Sequence, residues 1–252
     1  MKKANKNNVI KSYLRETRDP LYSAIMVVPL LVIYSFGVLS LDISQLNWEN
    51  LNGVDFITPL LFRHFGTQGV LIFNGVALLL AALAAAYLKR GKRELKLELI
   101  APMLIESLIY AFFLGGLIIA VMHRVAPFTL ALPSLSYDTA FDSLGPIQKL
   151  TLSCGAGLFE ELVFRLILLG TTQQILSRVF ELGPKRSWIF SLLGTSVLFS
   201  LVHYLGPESF QLYSFVFRTL AGIAFALLFW LRGFAIAAWT HALYDVLVLF
   251  GG

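Results

Sequence analysis

Long charge-free runs alternate with short polar stretches along this chain, and most of the runs match the length of a bilayer crossing. Residues 21–41 hold 21 consecutive uncharged positions, enough to span a hydrocarbon core of about 30 Å at about 1.5 Å per helical residue. A second such run covers 67–88, and a third covers 99–122 with Glu106 as its only charge. The fourth, around 150–170, is hydrocarbon except for Glu160, Glu161 and Arg165, and its pattern extends as a helix to about 180. Gly183-Pro184 then marks a turn. Runs at 187–205, 210–231 and 234–250 complete the set. Between the runs, 42–66 carries Asp42, Glu49, Asp55, Arg63 and His64 and reads as an external loop with a short interfacial helix around Trp48. The 124–149 stretch is also a loop, because its apolar part, 125–137, is too short to cross. The pattern predicts an all-α polytopic membrane protein with about seven transmembrane helices.

Composition agrees. The 252 residues are 57% hydrophobic and 14% charged, against about 25% charged in ordinary soluble domains. Residues 1–20 are polar and basic, with Lys2, Lys3, Lys6, Lys11, Arg15 and Arg18, and read as a disordered or interfacial tail. A cleaved signal peptide is the runner-up for 21–41, but the apolar region is too long for one. With the amino terminus inside, fifteen of the 20 Lys and Arg residues fall on the cytoplasmic side. Arg63, Arg124 and Lys149 fall outside, while Arg165 and Arg218 lie within spans. That asymmetry supports seven crossings with a cytoplasmic amino terminus. The net charge of +5 therefore reads as topology and attraction to anionic lipid, with no nucleic acid as partner. The single cysteine, Cys154, permits no internal disulfide and reads as inert packing. The organisation expected is a basic tail (1–20), an N-terminal transmembrane region (21–147) and a C-terminal transmembrane core (148–252).

Candidate chemistry comes from the polar residues inside the runs. An ionised side chain at a helix centre in a bilayer costs about 2.5–3.5 kcal/mol on insertion scales, so Glu160, Glu161 and Arg165 cannot face lipid together. Glu161 and Arg165 are four apart with the acid first, the natural spacing of an intrahelical ion pair. Glu160 is about 100° further round an α-helix and free to point elsewhere. Phe199 precedes His203 by one turn, and His241 precedes Asp245 by one turn. Three helices thus each bring acid or imidazole into the bilayer, and one shared polar pocket is the least costly arrangement. A carboxylate beside an imidazole can take a proton from water, and a second imidazole can stabilise the oxyanion formed when that water adds to a carbonyl. Ser153 and Ser200 lie near these groups, but no Gly-x-Ser-x-Gly elbow accompanies them. Glu106 and Arg218, both inside spans, are expected to pair or to line the pocket. His64 and His123 have no partner pattern.

The motif set Glu160-Glu161-x-x-x-Arg165, Phe199-x-x-x-His203 and His241-x-x-x-Asp245, all in order and each in an apolar run, resembles that of the CPBP membrane proteins. This is the family of CAAX prenyl endopeptidases and bacteriocin-processing (ABI) proteins. The stretch 217–230, with Gly222, also resembles the helix that precedes the family's last histidine motif. The resemblance covers about 148–250. It implies an intramembrane glutamate protease in which Glu160 and His203 activate water and His241 and residue 245 stabilise the oxyanion. Glu161, Arg165 and Phe199 would be supporting residues. Many members carry Asn where this chain has Asp245; an ionised Asp cannot donate to an oxyanion, so Asp245 is expected either to be protonated or, the favoured reading, to orient His241 and raise its basicity. No cofactor is implied. Zinc held by Glu160, His203 and His241 is the minority alternative, being one oxygen and two nitrogens with a position open, but no His-Glu-x-x-His is present. The partners implied are the lipid bilayer and a peptide or membrane-protein substrate, lipidated or unmodified. The expected location is a prokaryotic plasma membrane. The alternative to an enzyme is a non-catalytic immunity or regulatory protein that binds a peptide or partner in the same pocket; a transporter ranks third.

Overall fold

The structure, a computed structural model, describes residues 6–40, 57–90, 95–127, 144–205 and 209–251. Every element among them longer than a turn is helical. A short helix α1 (Lys6–Glu16) leads into α2 (Pro20–Ser40), followed by α3 (Ile57–Lys89) and α4 (Ile100–Val125). Helix α5 (Pro146–Gly155) runs into two widened turns, Ala156–Glu160 and Leu162–Leu169, and on into α6 (Gly170–Arg178). The chain then forms α7 (Pro184–Val202), α8 (Leu212–Arg232) and α9 (Phe234–Gly251).

Five helical stretches are long and apolar enough to cross a membrane: Pro20–Ser40, Leu97–Val125, Pro184–Leu205, Leu212–Arg232 and Phe234–Gly251. Against the seven crossings expected, five helices of crossing length stand among the described residues. The α5–α6 rod carries two acids and an arginine at its centre. Helix α3 starts at Ile57, inside the stretch expected to be an external loop. Trp48 and its expected interfacial helix lie outside the described residues.

The distribution of side chains is inverted relative to a water-soluble domain. Phe36, Phe112, Phe113 and Leu117 face outward, while Ser107, Ser153, Ser187, Ser191, Ser200 and Thr240 are fully enclosed. Small hydroxyl residues at helix interfaces let backbones approach closely, which suits a bundle whose outer solvent is hydrocarbon. Thr195 and Ser196 donate back to the carbonyls of Ser191 and Leu192, each at 2.7 Å. Ser200 instead donates across to the Phe215 carbonyl of α8 at 2.8 Å.

Helix α9 is the axis of the bundle. Ile236, Ala237 and Ala238 are completely buried, and α2, α4, α5, α8 and the widened turns all pack on it. Its alanines are what permit this. A Cβ on Gly157 would lie 2.6 Å from the Ala238 carbonyl oxygen and from Ala242, so the rod can touch α9 only with glycine there. Trp239 donates from Nε1 to the Met26 carbonyl of α2 at 2.8 Å. Helices α8 and α9 are joined by Gly233 alone, at φ +86, a left-handed conformation that favours glycine.

Glu106 does not pair with Arg218. Its carboxylate accepts from Arg232 at the end of α8, at 2.5 Å from Nε and 2.7 Å from Nη2, and from the Tyr13 hydroxyl at 2.6 Å. Arg232 also donates to the Leu14 carbonyl and the Thr17 hydroxyl. The reason is topological: α4 packs on both α8 and α9, and residue 232 sits at the one-residue turn between them.

Candidate active site

Four helical elements supply the polar and aromatic residues that come together inside the bundle. Glu160, Glu161 and Arg165 come from the widened turns, Phe199 and His203 from the end of α7, Phe225 from α8, and His241 and Asp245 from α9. Glu160, Glu161, Arg165 and His241 are all buried, with Glu161 wholly inaccessible.

His241 is the hub. Its Nδ1 lies 2.9 Å from Glu161 Oε1, a hydrogen bond between two buried groups. Its Nε2 points the other way, 3.8 Å from Glu160 Oε2 and 3.6 Å from Asp245 Oδ2. Both separations exceed a direct hydrogen bond. The orienting contact expected from Asp245 is therefore made by Glu161, from a different helix. The imidazole is also stacked on Phe225, centroids 4.3 Å apart at 18°, and meets Phe199 nearly edge-on at 6.1 Å.

Both acids reach this one ring because of how the rod is wound. Hydrogen bonds of the i→i+5 type across Ala156–Glu160 and Leu162–Leu169 widen the turn, so successive side chains diverge by less than the ~100° of an α-helix. Glu160 does not point elsewhere, as α-helical geometry predicts; it faces α9 beside Glu161.

Arg165 balances the charge from behind. Its Nε is 3.1 Å from Glu161 Oε2, the i,i+4 pair read from the spacing, although these two atoms lack hydrogen-bond alignment. The guanidinium rests against three rings, Phe199 at 4.5 Å, Phe225 at 5.7 Å and Phe164 at 5.8 Å, and reaches toward the Gly222 carbonyl at 3.4 Å. Cation–π contact gains strength when the cation is desolvated. Phe199 and Phe225 thus brace Arg165 and His241 together.

Among the described residues, His203 meets the cluster at Phe199, whose ring lies 5.2 Å away. Its Nδ1 is 2.8 Å from the Phe199 carbonyl. A carbonyl oxygen can only accept, so this bond places the proton on Nδ1 and leaves Nε2 as the free nitrogen. No hydrogen bond or ion pair joins the described side chains of His203 and Glu160. Among the described residues, no three His, Cys, Asp or Glu side chains gather as a metal-ligand set. Cys154 is buried in the apolar core with Leu158 and Phe159.

Residues 143–247 match the family model described as type II CAAX prenyl endopeptidase Rce1-like. Over this region the chain is similar to Rce1-like domains. The match spans less than half of the chain, and it contains every residue of the cluster just described. No curated protein and no solved structure matches the chain. The Rce1-like assignment is consistent with the CPBP resemblance of the three motifs, and it supports a membrane protease as the kind of protein. Helices α2 and α4 lie outside the Rce1-like domain yet enclose α9.

Sequence reasoning missed two contributors. Phe225, the ring stacked on His241, lies in the glycine- and aromatic-bearing stretch already noted, but nothing in the spacing separates it from its aromatic neighbours. The bond from Glu161 to His241 depends on the widened turns, which leave no distinctive mark in hydrophobic periodicity.

Proposed function

We propose that the protein is an intramembrane endopeptidase that hydrolyses a peptide bond with an activated water. The observation that carries this reading is the approach of Glu160 and Asp245 to one imidazole edge, at 3.8 and 3.6 Å, in a buried site inside the Rce1-like domain. Both gaps are wider than a hydrogen bond and suit a bridging water. Glu160 takes a proton from that water with the free Nε2 of His203 as its partner across Phe199. The water oxygen adds to the substrate carbonyl carbon. His241 acts in this step as the doubly protonated imidazolium: its Nδ1–H donates to Glu161 and its Nε2–H donates to the developing oxyanion, with Asp245 flanking that nitrogen. As the tetrahedral intermediate collapses, the C–N bond breaks and the leaving amine takes the proton carried by Glu160. Glu161, Arg165, Phe199 and Phe225 position these groups and do not touch the reacting atoms.

The reading extends to the whole protein: seven crossings with a cytoplasmic amino terminus in a prokaryotic plasma membrane, a peptide substrate with or without a lipid, and no metal in the reaction. The test uses the full-length protein reconstituted in lipid, with mass spectrometry of products from lipidated and unlipidated peptides. Glu160→Gln keeps the side-chain size but cannot accept the proton, and is expected to lower cleavage by about 10²–10⁴-fold with helix content and thermal unfolding unchanged. Strong chelator is expected to leave wild-type cleavage intact. Peptide binding without any product, unaffected by Glu160→Gln, would replace the protease with a binding protein.

A further inference from the structure

Helix α1 has two faces with different destinations. Ser12, Tyr13, Glu16 and Thr17 turn inward, at i, i+1, i+4 and i+5, one side of an α-helix. That side is fastened at five points. Tyr13 donates to Glu106, Arg232 donates to the Leu14 carbonyl and Thr17 hydroxyl, Lys96 binds Glu16 at 2.8 Å, and Arg18 donates to the Trp230 carbonyl. Burial and the neighbouring Glu106 carboxylate push the Tyr13 hydroxyl above the ordinary tyrosine value, so it stays a donor.

These fastenings place α1 in depth. Its partners stand where crossing-length helices begin or end: Lys96 precedes Leu97–Val125, Trp230 and Arg232 close Leu212–Arg232, and Pro20 opens α2. Tyr13 even reaches Glu106, six residues inside α4, about 9 Å along its axis. The helix therefore lies across one end of the bundle at the rim of the hydrocarbon layer.

The outward side is divided. Ile10 and Leu14, one turn apart, are exposed hydrocarbon, and Val9 beside them is exposed too. Lys11 and Arg15, also one turn apart, form the adjacent exposed strip. Apolar and basic strips side by side, on a helix fixed at this depth, match an interfacial helix whose apolar edge enters the acyl boundary while its cations meet headgroup phosphates.

We infer that α1 is a binding surface for anionic phospholipid, with Ile10 and Leu14 in the acyl boundary and Lys11 and Arg15 on the headgroups. This does not depend on the protease reading. The test is made on the full-length protein carrying Val9→Cys with an environment-sensitive dye; the native Cys154 is buried. The protein is reconstituted in phosphatidylcholine vesicles with and without phosphatidylglycerol. Phosphatidylglycerol is expected to blue-shift the dye and to bring it within reach of quenchers attached to shallow lipid positions, and high salt is expected to reverse part of this. Lys11→Gln and Arg15→Gln, both exposed and outside the fastening, should each lower the ratio of seated to unseated helix about fivefold in the mixed vesicles. Ile10→Ser with Leu14→Ser should abolish the shallow quenching expected with phosphatidylglycerol. A dye signal indifferent to phosphatidylglycerol and to the glutamine variants overturns the anionic-lipid assignment. A dye that aqueous quenchers reach equally in every vesicle overturns the membrane seat, leaving the face for a soluble partner or a second copy.

Discussion

Glu161 shows how much depends on one carboxylate. It accepts from His241 Nδ1 on one oxygen and faces Arg165 Nε with the other, so it serves the imidazole and the guanidinium at once. Removing one partner of a buried ion pair costs about 3–5 kcal/mol, because the remaining charge is left without compensation. Glu161→Ala is therefore expected to destabilise the protein by that amount, seen as a large drop in thermal unfolding temperature in detergent. Glu161→Gln keeps an acceptor for Nδ1, so its loss is expected to be smaller and its damage to cleavage partial. The Glu161–Arg165 pair was legible from spacing alone, since i,i+4 contact is a local property of any helix. The partner of Glu106 was not: Arg218 and Arg232 are equally plausible along the chain, and only the packing of α4 against the α8–α9 turn selects Arg232.

At the scale of the element, close approach decides which helices can meet. Gly157 sits where a Cβ would be 2.6 Å from α9, so Gly157→Ala must push the rod away from Ala238 and Ala242. A loss of about 1–3 kcal/mol is expected from overpacking. Gly116, in the middle of α4 with nothing within 4 Å of an added Cβ, is the control. Gly116→Ala is expected to stabilise by about 0.8–1 kcal/mol through helix propensity alone, and parallel thermal melts distinguish the two. The docking of α1 carries a pH signature as well. The hydrogen bond from Lys96, and after it the one from Ser12, holds the Glu16 carboxyl below its ordinary range. A depressed carboxyl contributes stability that is fully present above the unfolded pKa of about 4.3 and is lost as pH falls through the folded value. Protease accessibility of α1 is thus expected to rise on acidification below about pH 4 and to become less pH-dependent in Lys96→Met.

Across the whole molecule, the helical class and the sequence positions of most helices could be read from hydrophobic run length, because a bilayer imposes a minimum length that no soluble core requires. The early start of α3 could not, since Arg63 and His64 mark polarity whether or not the backbone is helical. The cost of isolated charge led to the expectation that Glu160, His203 and His241 share one pocket; the structure gathers Glu160, Glu161 and Asp245 around His241, while the described contacts of His203 are to Phe199. The same reasoning about charge yields a topology. Seven crossings with basic loops inside require 1–20 and 252 on opposite sides. Single cysteines at exposed Lys11 and at Gly251 are expected to react with a membrane-impermeant maleimide from opposite faces of sealed vesicles. Labelling of both from one face would require an even number of crossings.

The wide winding before and after Glu161 has a further consequence. It stores more residues per unit of rod than ordinary coiling accepts, so the tally of residues between Gly155 and Leu169 becomes a functional quantity. Deleting a single position there would let the backbone relax to the tighter coil and swing one of the twin acids out toward hydrocarbon. Length changes that a surface loop would absorb unnoticed would, along this rod, move Glu160 relative to His241.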